Sequence, residues 1–224
     1  MNGYLTSRGC YLYGAGGHSG VVEDALRANG YEIVGWFDDS PEKTNRSKPG
    51  IHLNESRTLV CVDAPVIIAI GRNDHRAYLS QRIDAVFMSI THPSAVVAPT
   101  VVVGDGTVIL HGSVIQTKAK IGNFAIVNTG ARIGHDAVVE DYVHISPGVI
   151  LCGSVRVRQG AHVGAGAVVI PGITIGRWCS VGAGSVVIRD VPDYCTVVGN
   201  PARTVKYRTS RSDMGSSHHV GDEE

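Results

Sequence analysis

Residues Ala119 to Leu151 read "AKIGNFAIVNTGARIGHDAVVEDYVHISPGVIL", with an aliphatic residue at every sixth place: Ile121, Val127, Ile133, Val139, Ile145 and Leu151. The same step runs outward from this stretch to Val97 on one side and Val187 on the other, and all sixteen positions are Ile, Leu or Val. Two places earlier stands a small or β-branched side chain, as at Ala119, Ala125, Ala131, Ala137, Val143 and Val149. The place after is often glycine, as at Gly104, Gly122, Gly134, Gly164, Gly176 and Gly182. A period of six is neither the 3.6 of an amphipathic helix nor the 2 of a half-buried strand. It is the hexapeptide signature of a β-helix. Each repeat supplies one short strand and one turn, the aliphatic residue points inward, and three faces close a triangular coil. Stacking such coils buries a continuous aliphatic column, and about five of them fit between Val97 and Val191. A β-sandwich would alternate at period two between irregular loops and would not hold this register.

Upstream of Val97 the pattern changes. "GCYLYGAGGHSGVVEDALRANG" reads as a strand, a glycine-rich turn and a helix with apolar residues at Val21, Val22, Ala25, Leu26 and Ala28, ended by Gly30. "EIVGWFDD" is a second strand, "APVIIAIG" a third, "NDHRAYLSQRI" a helix and "AVFMSITHP" a last strand. Alternating strands and helices predict a small α/β, Rossmann-like domain with a parallel sheet. Pro93 disfavours helix before it, and the six-residue register begins just after. The expected division is therefore 1–92 for the α/β domain, 93–207 for the β-helix and 208–224 for a polar, disordered tail that includes His218 and His219.

Twenty basic residues balance twenty acidic ones, which gives no electrostatic case for nucleic acid and leaves a small-molecule site as the default. The five cysteines, Cys10, Cys61, Cys152, Cys179 and Cys195, form no CxxC pair, and their odd number argues against a disulfide framework. The N-terminus lacks the pattern of a secretory leader and no aliphatic run approaches the ~20 residues of a membrane span, so the protein is expected in the cytoplasm.

The loop "GAGGHS", Gly14 to Ser19, has Gly14 and Gly16 where a dinucleotide fingerprint has its first two glycines, but Ser19 breaks the third. Its physics survives: backbone N–H groups of Gly14, Gly16 and Gly17 at a helix N-terminus suit a phosphate. Asp38 and Asp39 end the next strand on the same sheet edge, where carboxylates can accept from ribose hydroxyls or a base N–H. Some eighty residues, roughly, are too few for the two halves of a full dinucleotide domain, which favours a nucleotide-sugar over NAD. Arg72 and Asn73, after the third strand, are candidates for the same pocket. On the residues alone, His18 reads as a loop histidine serving as a helix cap.

Taken together, "YGAGGHSG", "WFDD", "AIGRND", "NTGARIGHD", "VHISPG" and "VVGNPAR" resemble the PglD/NeuD family of sugar acetyltransferases over roughly Tyr11 to Lys206. The resemblance implies a left-handed β-helix, acetyl-CoA as cofactor, and a homotrimer with active sites between subunits. It also implies a nucleotide-linked amino sugar (UDP-, dTDP- or GDP-) as substrate, acetylated at the 4-amino group of a 4-amino-4,6-dideoxyhexose. It assigns His135 as general base, Asp136 as its acidic partner at a position where many members carry glutamate, Asn128 beside the base and His144 by the acetyl group. It puts His18 near the pyrophosphate and sugar, and the oxyanion donor at Gly153. The pantetheine arm is expected along Gly164, Ala165, Gly182 and Ala183, whose small side chains packing would explain equally well. Arg203 and Lys206 are candidates for the CoA phosphates, or simply solvated charges.

The chemistry suits these residue types. Acyl transfer to an amine needs a proton removed as the bond forms, and an imidazole does this at neutral pH. His135 stands two places after the inward Ile133, at a corner, so its side chain should leave the core, and Asp136 can steady the imidazolium. With no cysteine or serine beside His135, direct attack is expected rather than an acetyl-enzyme. The spacing supports no four-coordinate zinc, and no metal is expected. His111 and His162 are expected to be surface turn residues, and His92 to belong to the interdomain turn. A sugar O-acetyltransferase of the sialic acid type, a non-catalytic sugar-nucleotide scaffold and an NAD enzyme remain the alternatives.

Overall fold

The computed structural model describes residues 8–39 and 59–207; the polar tail with His218 and His219 lies outside the described residues. The N-terminal lobe comprises β1 (Arg8–Tyr13), α1 (Gly17–Ala28), β2 (Tyr31–Phe37), β3 (Leu59–Ile68), α2 (Asn73–Ser80) and β4 (Ile83–Phe87). Its strands form a parallel sheet in the order β2-β1-β3-β4. Alternation along β1 sends Cys10 and Leu12 to one face and Tyr11 and Tyr13 to the other, so the sheet is buried on both sides. On α1 the buried residues are Ser19, Val22, Ala25 and Leu26, one stripe at helical spacing.

The stretch read as one last strand, "AVFMSITHP", divides. β4 closes the lobe's sheet, while Ile90–Thr91 pairs with Val108–Ile109 as the first rung of the following domain. That domain is a parallel β-helix, mostly of two-residue strands, in which the pairings step by eighteen residues, as in Lys120 with Val138 and Ile126 with His144, until the last coil, where Ser180 pairs with Thr196, a step of sixteen. The first face carries Ile90–Thr91, Val108–Ile109, Ile126–Val127, His144–Ile145, His162–Val163, Ser180–Val181 and Cys195–Val198, with Arg203–Tyr207 added antiparallel at its end. The second face runs from Val96–Val97 through Arg132–Ile133 to Val186–Val187, and the third from Val102–Val103 to Thr174–Ile175.

The six-residue rule explains this. From Ile109 onward the aliphatic residue of each repeat is almost completely buried, in one column ending at Val197, and the small residues two places before it fill the corners. Full burial of one such Val or Ile contributes about 1.5–3 kcal/mol. Corners turn through left-handed backbone, at glycine or at residues such as Asp136 (φ 58), Tyr142 (φ 60) and Ser154 (φ 59). Among the described residues Cys10, Cys152, Cys179 and Cys195 form no disulfide. Among the described residues no helix is long and apolar enough to cross a membrane.

The lobe rests on the first face, where Val108, Leu110 and Ile126 join the cluster made by α1 and the inner side of the sheet. Phe124 packs with the other cluster and meets Phe87 edge-on, with ring centroids 4.9 Å apart. This seating brings the lobe's loops over the middle rungs.

Candidate active site

In a sheet of order β2-β1-β3-β4 the crossovers diverge between β1 and β3, and the crevice beyond their carboxyl ends is where such sheets bind ligands. The glycine-rich loop and Ile70–Arg72 border it. Gly14 has φ +109, and a Cβ there would meet Ile70 Cγ1 at 2.9 Å. Gly16 is the N-cap of α1, and Cβ atoms on Gly16 or Gly17 would meet nothing within 4 Å, so this edge is open to a ligand. His18 lies inside the first turn and makes no cap hydrogen bond, against the helix-cap reading. Asp38 Oδ2 accepts from the Ala15 N–H at 2.8 Å and braces the loop. Asp39 accepts from the Tyr13 hydroxyl at 2.7 Å and lies 3.6 Å from His75 Nε2. Arg72 pairs with Asp74 on an exposed groove that His75 and Tyr78 also line. Asn73 turns away from the expected pocket: its amide donates to the carbonyls of Gly160 and Ala161, at 3.1 and 3.0 Å, on the β-helix.

Beneath the crevice, on the first face, stands His144. Its Nδ1 lies 3.2 Å from the Gly71 carbonyl, which can only accept, so Nδ1 carries the proton. Its Nε2 faces Asn128 Nδ2 at 3.2 Å. Asn128 Oδ1 accepts from the Thr129 N–H at 2.8 Å, which fixes the amide so that Nδ2 donates to the imidazole. The ring is thus neutral with both nitrogens engaged. Burial, with His162, Arg76 and His18 close by, holds its pKa well below the usual histidine value. His18 is 6.0 Å from it, ring to ring. Burial, and then the charge of Arg76, lowers the His18 pKa to about 4, and its Nε2 is buried with no hydrogen-bond partner among the described residues. A buried nitrogen left unsatisfied beside the glycine-rich loop is one that a bound ligand could satisfy.

His135 occupies the corner between the second and third faces, exposed as its position after Ile133 requires. Its Nδ1 is 2.8 Å from Asp136 Oδ2, so the shorter aspartate does reach the ring, and the left-handed turn at Asp136 folds the carboxylate back onto its neighbour. Nε2 makes no hydrogen bond among the described residues and lies over Gly153, one rung on: a Cβ on Gly153 would be 2.5 Å from it. The His135 N–H is capped by Gln116 Oε1 at 3.1 Å. Eighteen residues later the capping position belongs to Gly134, which has no side chain to offer, and nothing among the described residues accepts from the Gly153 N–H. A basic nitrogen and an unengaged backbone donor therefore share one exposed corner.

At the corner between the first and second faces, a Cβ on Gly164 would meet Ala183 N at 2.6 Å, and one on Gly182 would meet Val198 Cγ1 at 2.8 Å. Coil stacking alone accounts for these glycines, while Ala165 and Ala183 lie exposed beside them. Arg203 and Lys206 are exposed on the terminal strand.

The four expected catalytic side chains thus form two pairs. His135 with Asp136 lies at the corner between the second and third faces, and Asn128 with His144 on the first face and at its edge, separated by the second-face strand Arg132–Ile133. His162, expected to be an isolated turn residue, stacks on His144 with centroids 5.1 Å apart and bonds Ser146 Oγ through Nε2 at 2.9 Å. Its company is set by the eighteen-residue register, since 144 and 162 occupy successive rungs. Arg76 was also missed. It is 1% exposed, and its signal was its place one helical turn after Asn73 on the buried side of α2.

Two family models match the chain: the PglD N-terminal domain over residues 10–83 and the bacterial transferase hexapeptide (six repeats) over residues 154–189. The architecture is accordingly a small parallel-sheet domain followed by a left-handed β-helix of hexapeptide repeats. Among solved structures, a single-residue mutant of the perosamine N-acetyltransferase of Caulobacter crescentus, in complex with CoA and GDP-perosamine, is 35% identical, with a TM-score of 0.79 over 88% of this chain and 97% of that one. The acetyltransferase domain of PglB from Neisseria gonorrhoeae, in complex with acetyl coenzyme A, is 31% identical, with a TM-score of 0.80 over 89% of this chain and all of that one. The UDP-N-acetylbacillosamine N-acetyltransferase of Bacillus subtilis is 42% identical over 108 residues, covering 44% of this chain and 50% of the enzyme. The chain spans half or less of the length of the curated relatives it matches.

Proposed function

From the premise that this chain belongs to the PglD/NeuD family of sugar acetyltransferases, we propose that it transfers acetyl from acetyl-CoA to the 4-amino group of a nucleotide-linked 4-amino-4,6-dideoxyhexose, in the cytoplasm. The parallel-sheet lobe holds the nucleotide and sugar; the β-helix holds the coenzyme and carries the base. Bound acetyl-CoA supplies the acyl group as a thioester. The amine attacks the carbonyl carbon directly, the C–N bond forms, the proton leaves nitrogen for His135 Nε2, and the C–S bond breaks to release CoA as the thiolate, which takes that proton from the imidazolium and leaves His135 neutral for the next turnover. Asp136 holds His135 in the tautomer whose Nε2 is free and offsets the positive charge that arrives with the proton. The Gly153 N–H offers a fixed dipole to the carbonyl oxygen as negative charge grows there.

The observation that carries this reading is the free Nε2 of His135 beside the unengaged Gly153 N–H. A donor without an acceptor and a position without a Cβ fit a thioester carbonyl. The two pairs of catalytic side chains, on different sides of the prism, favour a site completed between subunits of a homotrimer: the His135 corner of one subunit meets the lobe and His144 of the next. The crevice, with Gly14, Gly16, Gly17, His18, Asp38, Asp39 and Arg72 around it, receives the nucleotide-sugar in this reading. Asn73 serves the lobe contact instead.

The test is thiol release from acetyl-CoA with a panel of UDP-, dTDP- and GDP-linked 4-amino sugars, with mass spectrometry of the product. One member of the panel should gain a single acetyl group on nitrogen. Release with hydroxyl acceptors only, or none above background, would contradict the proposal.

A further inference from the structure

Arg76 is buried to 1% exposure, and no carboxylate lies within hydrogen-bond distance of it among the described residues. A buried cation in that position must be compensated by acceptors, and here these are five backbone carbonyls and the Asn73 side-chain oxygen. Nε donates to the Phe124 carbonyl at 2.7 Å; Nη1 to Ile70 and Gly71 at 2.9 and 3.2 Å. Nη2 donates to Asn73 Oδ1, Tyr142 and Val143 at 3.0, 3.0 and 3.5 Å. Five N–H groups thus serve six acceptors, three from the lobe and three from two successive rungs of the β-helix. Asn73, held by Arg76, extends the grip to the third rung through Gly160 and Ala161.

Two of these acceptors border His144. Val143 precedes it in the chain, and the Gly71 carbonyl that takes a hydrogen bond from Arg76 is the one that accepts from His144 Nδ1. We infer that Arg76 is a positioning residue: it clamps the nucleotide-sugar lobe onto the β-helix and, by fixing the Gly71 carbonyl over His144, sets that imidazole as the Nδ1–H tautomer with Nε2 turned to Asn128. This rests on the proposed acetyl transfer for its consequence but not for its geometry. Burial lowers the Arg76 pKa to about 9, which keeps it charged at neutral pH, and that charge opposes protonation of both His18 and His144.

The variant Arg76→Lys keeps the charge but can offer at most three N–H groups in place of five. Nitrogen-15 spectra of the histidine rings in the free protein, with His144 assigned by comparison with His144→Gln, should give a clean Nδ1–H pattern in the wild type. Arg76→Lys should give a mixture of tautomers. With the sugar that the wild type turns over, KM for the sugar should rise tenfold or more while KM for acetyl-CoA stays within about twofold. If Arg76→Lys does not fold, Asn73→Ala, which removes one acceptor of Arg76 and both bonds to the third rung, should raise the sugar KM about three- to tenfold. An unaltered His144 tautomer in Arg76→Lys, or an unaltered sugar KM in either variant, overturns the inference. Because the tautomer is read without turnover, its outcome stays separate from that of the panel assay.

Discussion

His135 Nε2 lies 2.5 Å from the point where a Cβ on Gly153 would stand, so the imidazole occupies the space that glycine leaves open one rung along. Gly153→Ala should displace the ring without unfolding the coil, because Gly153 is not in left-handed backbone and needs no glycine for its turn. We expect kcat to fall by about two orders of magnitude, with the melting temperature within a few degrees of wild type. Unchanged kcat would mean that the base does not act from this position.

The contact between His135 and Asp136 separates charge from conformation. Asparagine tolerates the left-handed turn (φ 58) as well as aspartate does, so Asp136→Asn removes the charge and spares the corner. The expected loss is about tenfold in kcat, with KM for both substrates little altered. Steady-state kinetics of Asp136→Asn beside Asp136→Ala measures it; equal activity of Asp136→Asn and wild type would dismiss the carboxylate's role.

Burial of His18 makes stability depend on pH. Its pKa in the folded protein, about 4, lies below the 6.5 of the unfolded chain, so between these values the unfolded state binds more protons. The stabilisation is complete above pH 6.5 and is lost as pH falls through the window toward 4. Its size is about 3 kcal/mol at most. Chemical denaturation from pH 7.5 to 4 should show this slope in the wild type and a shallower one in His18→Gln. Parallel curves for the two proteins would show that His18 is not buried in its neutral form.

Much of the fold was legible because its rule is local. One aliphatic residue in six fixes where each strand lies and which side chain points inward, so Ile133 places His135 at a corner without any knowledge of distant contacts. The lobe was readable by the same means, from alternation along β1 and the glycine-rich turn after it. What the sequence hid depends on rungs meeting: His162 acquires His144 and Ser146 only through the eighteen-residue register. Arg76, a polar residue in a short helix, reveals its burial only when α2 docks on Phe124 and Tyr142. Asn73 was misplaced for the same reason, since its partners are 87 and 88 residues away.

The separation of His135 from His144 within one chain predicts complementation. Neither His135→Ala nor His144→Ala should be active alone, yet mixed trimers would contain sites with an intact corner from one subunit and an intact lobe from another. Random assembly of equal amounts should recover about a quarter of wild-type activity. Co-expression with two affinity tags isolates such mixtures. No recovery would place the whole site in a single chain and contradict the intersubunit arrangement.

The most direct measurement of the central claim is the single-turnover rate of acetyl transfer in His135→Ala, with acetyl-CoA affinity determined by calorimetry on the same preparation. The account predicts a rate about two to four orders of magnitude below wild type, with coenzyme binding within about twofold. A rate near that of the wild type would show that the proton leaves the amine by another route.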